Sequence, residues 1–331
     1  MEEPVLRRTW AEIDLDALAH NYQQARRKIG PNVKYLGVVK ADAYGHGAIQ
    51  VSRKLEQLGA DYLAVSSLDE AKELRRAGIQ APILILGHTP PAMVPQLIEY
   101  RITQAVSALA KAEAYSAAAV ESGGTLKVHI KVDTGMSRLG ILCNEESMTD
   151  GVETLAEMAR LPGLDCEGIF MHFADADSCP EYSRMQIDRF QRVLEALEAR
   201  GVTFPVRHCC AGAATLNYPE CHLDMIRPGI PLYGWHPDPS TQDKIHLAPV
   251  MELKTHVISL RRLPKGTCVS YGRTYTLERD SLVAAVPVGY ADGLFRGLSN
   301  RMEMKVRGKM APQIGRICMD MCMLDVTDVP G

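Results

Sequence analysis

Two textures divide the chain. Between residues 12 and 238, short apolar runs alternate with helically patterned stretches. The runs 35–40, 62–66, 82–87, 102–107, 127–132, 167–172, 206–210 and 225–227 are rich in Val, Ile and Leu and do not alternate strictly. That is the pattern of strands buried on both faces. Helices fit the intervals. Leu15, Leu18, Tyr22, Ala25 and Ile29 share one face, and Met185, Phe190, Val193, Leu194 and Leu197 form a second stripe that stops at Gly201. Ser67 to Glu70 has the form of a capping box, with Gly78 as the helix stop. Eight strand candidates alternating with helices predict an α/β fold, a closed (β/α)8 TIM-type barrel rather than an open sheet.

Past residue 239 the long helical stretches end. Strand-like runs at 252–260, 282–288, 302–306 and 321–326 are separated by Gly266, Gly272, Gly289, Gly293 and Gly308. They predict a second, mostly β C-terminal domain. The expected division is a barrel over 12–238, a β-rich domain over 239–331, and residues 1–11 as an N-terminal strand associated with the β domain. The last residues, Val329, Pro330 and Gly331, follow directly on a strand, so the natural chain is expected to continue.

Composition narrows the partners. The 331 residues are 46% hydrophobic and 23% charged, an ordinary globular balance. Thirty-seven basic against forty acidic residues leave a net charge of −3 and no basic stripe for nucleic acid. No apolar run approaches the roughly 20 residues of a membrane helix, and residues 1–10 do not read as a secretory signal. Nine cysteines, an odd number, read as reduced thiols, which places the chain in the cytoplasm.

Barrel enzymes work at the C-terminal ends of their strands. Those ends hold Lys40, the segment 133–138, His172 and Arg227. A lone lysine in such a place is most often a surface group; sheltered from water, its amine is free for Schiff-base chemistry. Asp224 to Ile230 offers an arginine and backbone N–H groups able to cradle phosphate. His172 reads as a member of a polar network, or as an acid or base. Cys318 and Cys322 lack the spacing of a zinc site, so no metal is expected.

At this point the chain resembles the alanine racemase family over nearly its whole length. The segment 38–47 reads Val-Val-Lys-Ala-Asp-Ala-Tyr-Gly-His-Gly, 131–140 reads Lys-Val-Asp-Thr-Gly-Met-Ser-Arg-Leu-Gly, and 227–234 reads Arg-Pro-Gly-Ile-Pro-Leu-Tyr-Gly. Ser-Tyr-Gly-Arg-Thr-Tyr at 270–275, Gly-Tyr-Ala-Asp-Gly at 289–293 and Gly-Arg-Ile-Cys-Met-Asp at 315–320 follow in family order.

The resemblance implies an amino-acid racemase that interconverts L- and D-alanine for peptidoglycan. Lys40 would hold pyridoxal 5′-phosphate as an aldimine. Lys40 and Tyr271 would be the two bases, Tyr271 reaching in from the second subunit of a homodimer with shared sites. His172 and Arg227 would form the polar chain that favours the phenolate, with Arg227 also at the pyridine nitrogen. Tyr44, Gly229 and Ile230 would cup the phosphate. Arg138 and the Met319 N–H would anchor the substrate carboxylate, Lys131 would carry a carbamate beside Arg138, and Tyr290 and Asp320 would line the composite site. One departure concerns the phosphate: the family commonly has Asn-Ser where this chain has Ala211-Gly212, so Gly212 offers only its N–H and cofactor affinity is expected to be weaker. A racemase for serine or another small amino acid, a related decarboxylase, and a non-catalytic pyridoxal-phosphate-binding barrel are the rivals. Arg227 disfavours the decarboxylase, and Tyr271 with the β-rich region disfavours the carrier.

Overall fold

The structure, a computed structural model, describes residues 8–330. Contacts divide them into a unit of residues 14–250 and a second unit made of the described residues up to Ile13 and those from Met251 onward. Residues 1–7 of the expected N-terminal strand, and Gly331, lie outside the described residues.

The first unit is an α/β barrel. Its eight parallel strands, numbered here one to eight, are Lys34–Val38, Tyr62–Val65, Ile83–Ile85, Ile102–Val106, Leu126–Asp133, Leu164–Phe170, Val206–His208 and Met225–Ile226. Strand eight pairs with strand one, Met225 opposite Lys34 and Ile226 opposite Tyr35. Strands seven and eight meet only at the bridge between Ala211 and Arg227 and nearby bonds such as Arg227 N–H to the Cys210 carbonyl, 2.9 Å. The ring is therefore nearly closed. Leu36, Val38, Tyr62, Ala64, Leu84, Val206 and Met225 pack into one buried cluster drawn from strands far apart in sequence. At roughly 25 cal/mol per Å² of apolar surface buried, such clusters are the main force holding the ring.

The helices follow their sequence signals. Asp14 caps Leu15–Ile29 by accepting the N–H groups of Asp16 and Ala17, and Leu18, Tyr22, Ala25 and Ile29 face inward. Ser67 caps Leu68–Arg76 by accepting the Glu70 N–H. Only this half of the capping box forms, because the Glu70 carboxylate is used elsewhere. Residues 239–250, assigned by texture to the β domain, stay with the barrel. Asn21 is buried and donates to the Leu232 and Ala248 carbonyls, while its own carbonyl accepts the Ala248 N–H.

The second unit is β-rich. Five antiparallel strands run in the order Ser259–Leu263, Ser281–Val286, Cys322–Asp325, Lys309–Ile314 and Glu303–Val306. Ala284, Val286, Ile317 and Leu324 are among its buried core. The run expected at 252–260 is two strands. Met251–Thr255 pairs antiparallel with Thr9–Ile13, and Ser259–Leu263 pairs with Ser281–Val286.

Candidate active site

The strand that carries Lys40 ends earlier than its apolar run. Strand one stops at Val38, and residues 41–44 have φ of 52, 52, 53 and 57°. This is a left-handed turn built without a single glycine, and left-handed backbone costs an L-residue roughly 1–2 kcal/mol. Such strain persists only where surrounding contacts over-determine it. Ala43 N–H donates to the Val39 carbonyl at 2.9 Å, and the Asp42 carboxylate accepts the Ala48 N–H at 2.7 Å. The Glu70 carboxylate accepts the Ala41 N–H at 2.8 Å and, with its other oxygen, the Ser66 N–H at 2.7 Å. Glu70 thus ties the lysine turn to the end of strand two. Glu70→Ala is expected to lower stability by about 1.5–3 kcal/mol, the range for hydrogen bonds to a charged group. Glu70→Gln is expected to lose less. Urea unfolding of the three proteins checks the order.

Lys40, Lys131, Arg138 and Arg227 line one cavity of about 380 Å³ at the C-terminal ends of the barrel strands. Among the described residues, no Asp or Glu lines it. Asp133, two residues after Lys131, spends a carboxylate oxygen on the N–H groups of Gly135, Met136 and Ser137, the turn that leads to Arg138. Lys131 is buried, and burial, together with the Arg138 and Arg227 charges, pushes its amine down to about 8. About a tenth of that amine is therefore uncharged and nucleophilic at pH 7, far more than for an ordinary lysine.

Arg227 is 3% exposed and stacks 5.3 Å from the centre of the Phe170 ring. It donates to His208 Nδ1 at 2.8 Å, to His172 Nδ1 at 3.1 Å, and to the Met171 and Cys209 carbonyls at 3.0 and 3.1 Å. A guanidinium can only donate. Both imidazoles must therefore present lone pairs to it, and both are neutral. Burial, then the Arg227 charge, pushes His172 down to about 3 and His208 well below its usual value.

Tyr44, Gly229, Ile230 and Gly212 lie on the same cavity. Glycine at 229 lets the Tyr44 hydroxyl approach, since a Cβ there would stand 2.6 Å from it and push it aside. Gly212 has open space around it but φ of +34°, so a serine would gain a hydroxyl at the cost of backbone strain.

The remaining expected residues belong to the second unit. Tyr271 is 70% exposed, and Met319, Tyr290 and Asp320 are exposed too. They sit on neighbouring loops of that unit. Tyr290 N–H donates to the Cys318 carbonyl and Ala291 N–H to the Met319 carbonyl, at 3.0 and 2.9 Å. Ser270, beside Tyr271, donates its hydroxyl to the Arg316 carbonyl at 2.6 Å. The structure thus gathers the expected residues into two groups, one on each unit. His208, His129 and Glu167 were not singled out from sequence, and Glu70 was read only as part of a capping box. A signal existed for His129, which is two residues from Lys131 on one strand and so shares its face.

The alanine racemase N-terminal domain family matches residues 13–237, and the alanine racemase C-terminal domain family matches residues 250–331. The alanine racemase of Desulforamulus reducens is 44% identical over 328 residues, 98% of this chain and 86% of that one. Among solved structures, the alanine racemase of Clostridium difficile 630 superposes with a TM-score of 0.90 at 37% identity, covering 97% of this chain and 83% of that one. The alanine racemase of Bacillus anthracis with bound L-Ala-P does so with a TM-score of 0.88 at 35% identity, covering 98% and 83%.

Proposed function

This chain belongs to the alanine racemase family, an isomerase that interconverts L- and D-alanine, and from that premise we propose that its barrel cavity binds pyridoxal 5′-phosphate and that two copies of the chain share each active site. The observation that carries the reading is the cavity's charge. Four cationic side chains and no acidic lining among the described residues suit a phosphate dianion and an amino-acid carboxylate. Lys40 would bond the cofactor through its amine. Tyr44, Gly229, Ile230 and the Gly212 N–H would hold the phosphate, and Arg227 would face the ring nitrogen. When bound, the cofactor supplies an electron sink for the pair left at the substrate Cα.

The chain's own residues then divide the proton work. The Lys40 amine would take or return the Cα proton on one face. The partner's Tyr271 serves the opposite face. A phenol does this only where cationic neighbours favour its phenolate, and Arg227 and Arg138 supply that field. His172 stays neutral beside Arg227, so it relays a hydrogen bond without adding a proton of its own. Arg138 binds the substrate carboxylate, helped by the partner's Met319 N–H, with the partner's Tyr290 and Asp320 at the rim. The uncharged fraction of Lys131 can add carbon dioxide, and the resulting carbamate would pair with Arg138 and hold its fork in place. Arg227, which can only donate, would discourage protonation of a bound ring nitrogen and so favour racemisation over transamination.

D-Alanine made in this way would serve peptidoglycan synthesis, and the enzyme would work in the cytoplasm. Among the described residues no helix is long and apolar enough to cross a membrane. Borohydride reduction of the loaded enzyme, followed by peptide mapping, tests the cofactor assignment. The pyridoxyl group is expected on Lys40; an adduct chiefly on Lys131 or another lysine sinks it.

A further inference from the structure

Behind Arg227 a file of polar side chains runs through the barrel interior to its far side. His208 Nε2 lies 2.8 Å from His129 Nδ1, and His129 Nε2 lies 3.5 Å from Glu167 Oε2. His129 and His208 are both fully buried, and Glu167 is 16% exposed. Neither His129 Nε2 nor that Glu167 oxygen makes a hydrogen bond to any described residue, so the two buried atoms are left facing each other.

The ends of the file dictate its middle. Arg227 only donates, so His208 Nδ1 holds a lone pair and its hydrogen is on Nε2. That hydrogen faces His129 Nδ1, which must accept, so the His129 hydrogen is on Nε2 and faces Glu167. An ionised carboxylate only accepts, so the file closes with one donor direction throughout. The surroundings agree. The Glu167 carboxyl is held down to about 2, first by the His129 contact and then, against burial, by Lys127 at 2.9 Å. Burial pushes His129 down against the pull of Glu167, so a neutral imidazole faces a carboxylate.

The backbone makes room for this file. Strands five and six pair Val128 with Cys166 and His129 with Gly168, passing over Glu167, a bulge in a parallel pair. A Cβ on Gly168 would stand 2.6 Å from His129 Nδ1, so glycine leaves the space that the imidazole fills. The His208 ring lies flat on Phe170, with 4.8 Å between ring centres and 7° between planes. Bulge, glycine and stacked phenyl together fix two histidines and a glutamate that a simpler barrel filling of Val and Leu would not need.

We propose that Glu167 and His129 are positioning residues for the racemisation: acting through His208, they lock the imidazole tautomers so that Arg227 meets lone pairs and keeps its full charge and fixed orientation toward the bound ring. This rests on the reading of Arg227 given above. If the file is released, His208 can turn a proton toward Arg227 and the guanidinium swings or loses a partner. Control of the ring nitrogen then slackens, and some turnovers end in transamination.

The test is long-range ¹H–¹⁵N correlation of the holoenzyme labelled with ¹⁵N-histidine, read alongside kinetics. His129 and His208 are expected to carry hydrogen on Nε2 alone and to stay neutral from about pH 6 to 9. The titratable groups that face them are Arg227, Glu167 and the Tyr62 phenol, with Lys127 and Asp165 beyond Glu167. Glu167→Gln and Gly168→Ala are expected to shift both imidazole signals, lower kcat about tenfold with KM little changed, and raise the fraction of cofactor lost to transamination. Glu167→Asp should recover part of the loss. A hydrogen on Nδ1 of either native histidine, or an imidazolium, overturns the proposal. So does unchanged kcat and partition in both variants. Were the wild-type enzyme not to racemise at all, the native tautomers would still be read, so failure of the relay and failure of the functional reading are separable.

Discussion

A Lys40→Ala chain mixed with a Tyr271→Phe chain will racemise alanine, although each alone is nearly inert. Each substitution removes one of the two groups that carry the Cα proton, and a positioned acid or base contributes typically 10²–10⁴-fold. If a site joins Lys40 of one copy to the partner's Tyr271, a hybrid dimer holds one intact site and one doubly damaged site. Random exchange of chains makes about half the dimers hybrid, so activity should return to about a quarter of wild type. Activity is followed by optical rotation after the chains are exchanged, with hybrids counted by native mass spectrometry. Abundant hybrids with no recovery mean that Lys40 and Tyr271 do not meet in one site across subunits.

Arg227→Glu will lower racemisation by on the order of 10³-fold, about 4 kcal/mol of barrier, and convert the bound cofactor to its amine form during turnover. The arginine is buried with imidazole lone pairs on two sides. A carboxylate in its place favours a protonated ring nitrogen and draws protons onto His208 and His172, so the two changes reinforce each other. Arg227→Lys keeps the charge but is a point donor, not a planar fork, and should fall between the two. Absorbance of the amine form, read against the rate of optical change, separates transamination from simple loss of binding. A glutamate variant that racemises within about tenfold of wild type, with no amine form, contradicts the role given to Arg227.

Much of this was legible before the fold was seen, for physical reasons. Strands buried on both faces must be apolar throughout, so the barrel strands stood out even where strand eight is only Met225–Ile226. Lys40, His172 and Arg227 were conspicuous as charge or imidazole at the ends of such runs, whereas Lys131, inside its strand, was reached only through the family resemblance. The left-handed turn was hidden, because Ala-Asp-Ala-Tyr has no glycine to announce positive φ and the strain is held by Glu70 from another segment. Lys309–Ile314 was hidden as well. Lys309, Pro312 and Gln313 break its apolar pattern, and its pairing with Glu303–Val306 turns on Arg307 and Gly308, both at positive φ. The file from Arg227 to Glu167 joins residues from strands five, six, seven and eight, and His129 meets His208 across 79 positions. No local period encodes such a meeting; it exists only once the ring has closed.

The most direct measurement runs L-alanine, and separately L-serine, with the loaded enzyme in deuterium oxide at low conversion. D-Alanine, L-alanine and the serine enantiomers are separated and weighed by mass spectrometry. Two groups on opposite faces take the protium on one side and deliver solvent deuterium on the other. The account therefore predicts D-alanine with deuterium at Cα, remaining L-alanine that is still mostly protium, and slower turnover of serine. L-Alanine that exchanges its Cα hydrogen without inversion, or no D-alanine at all, contradicts it.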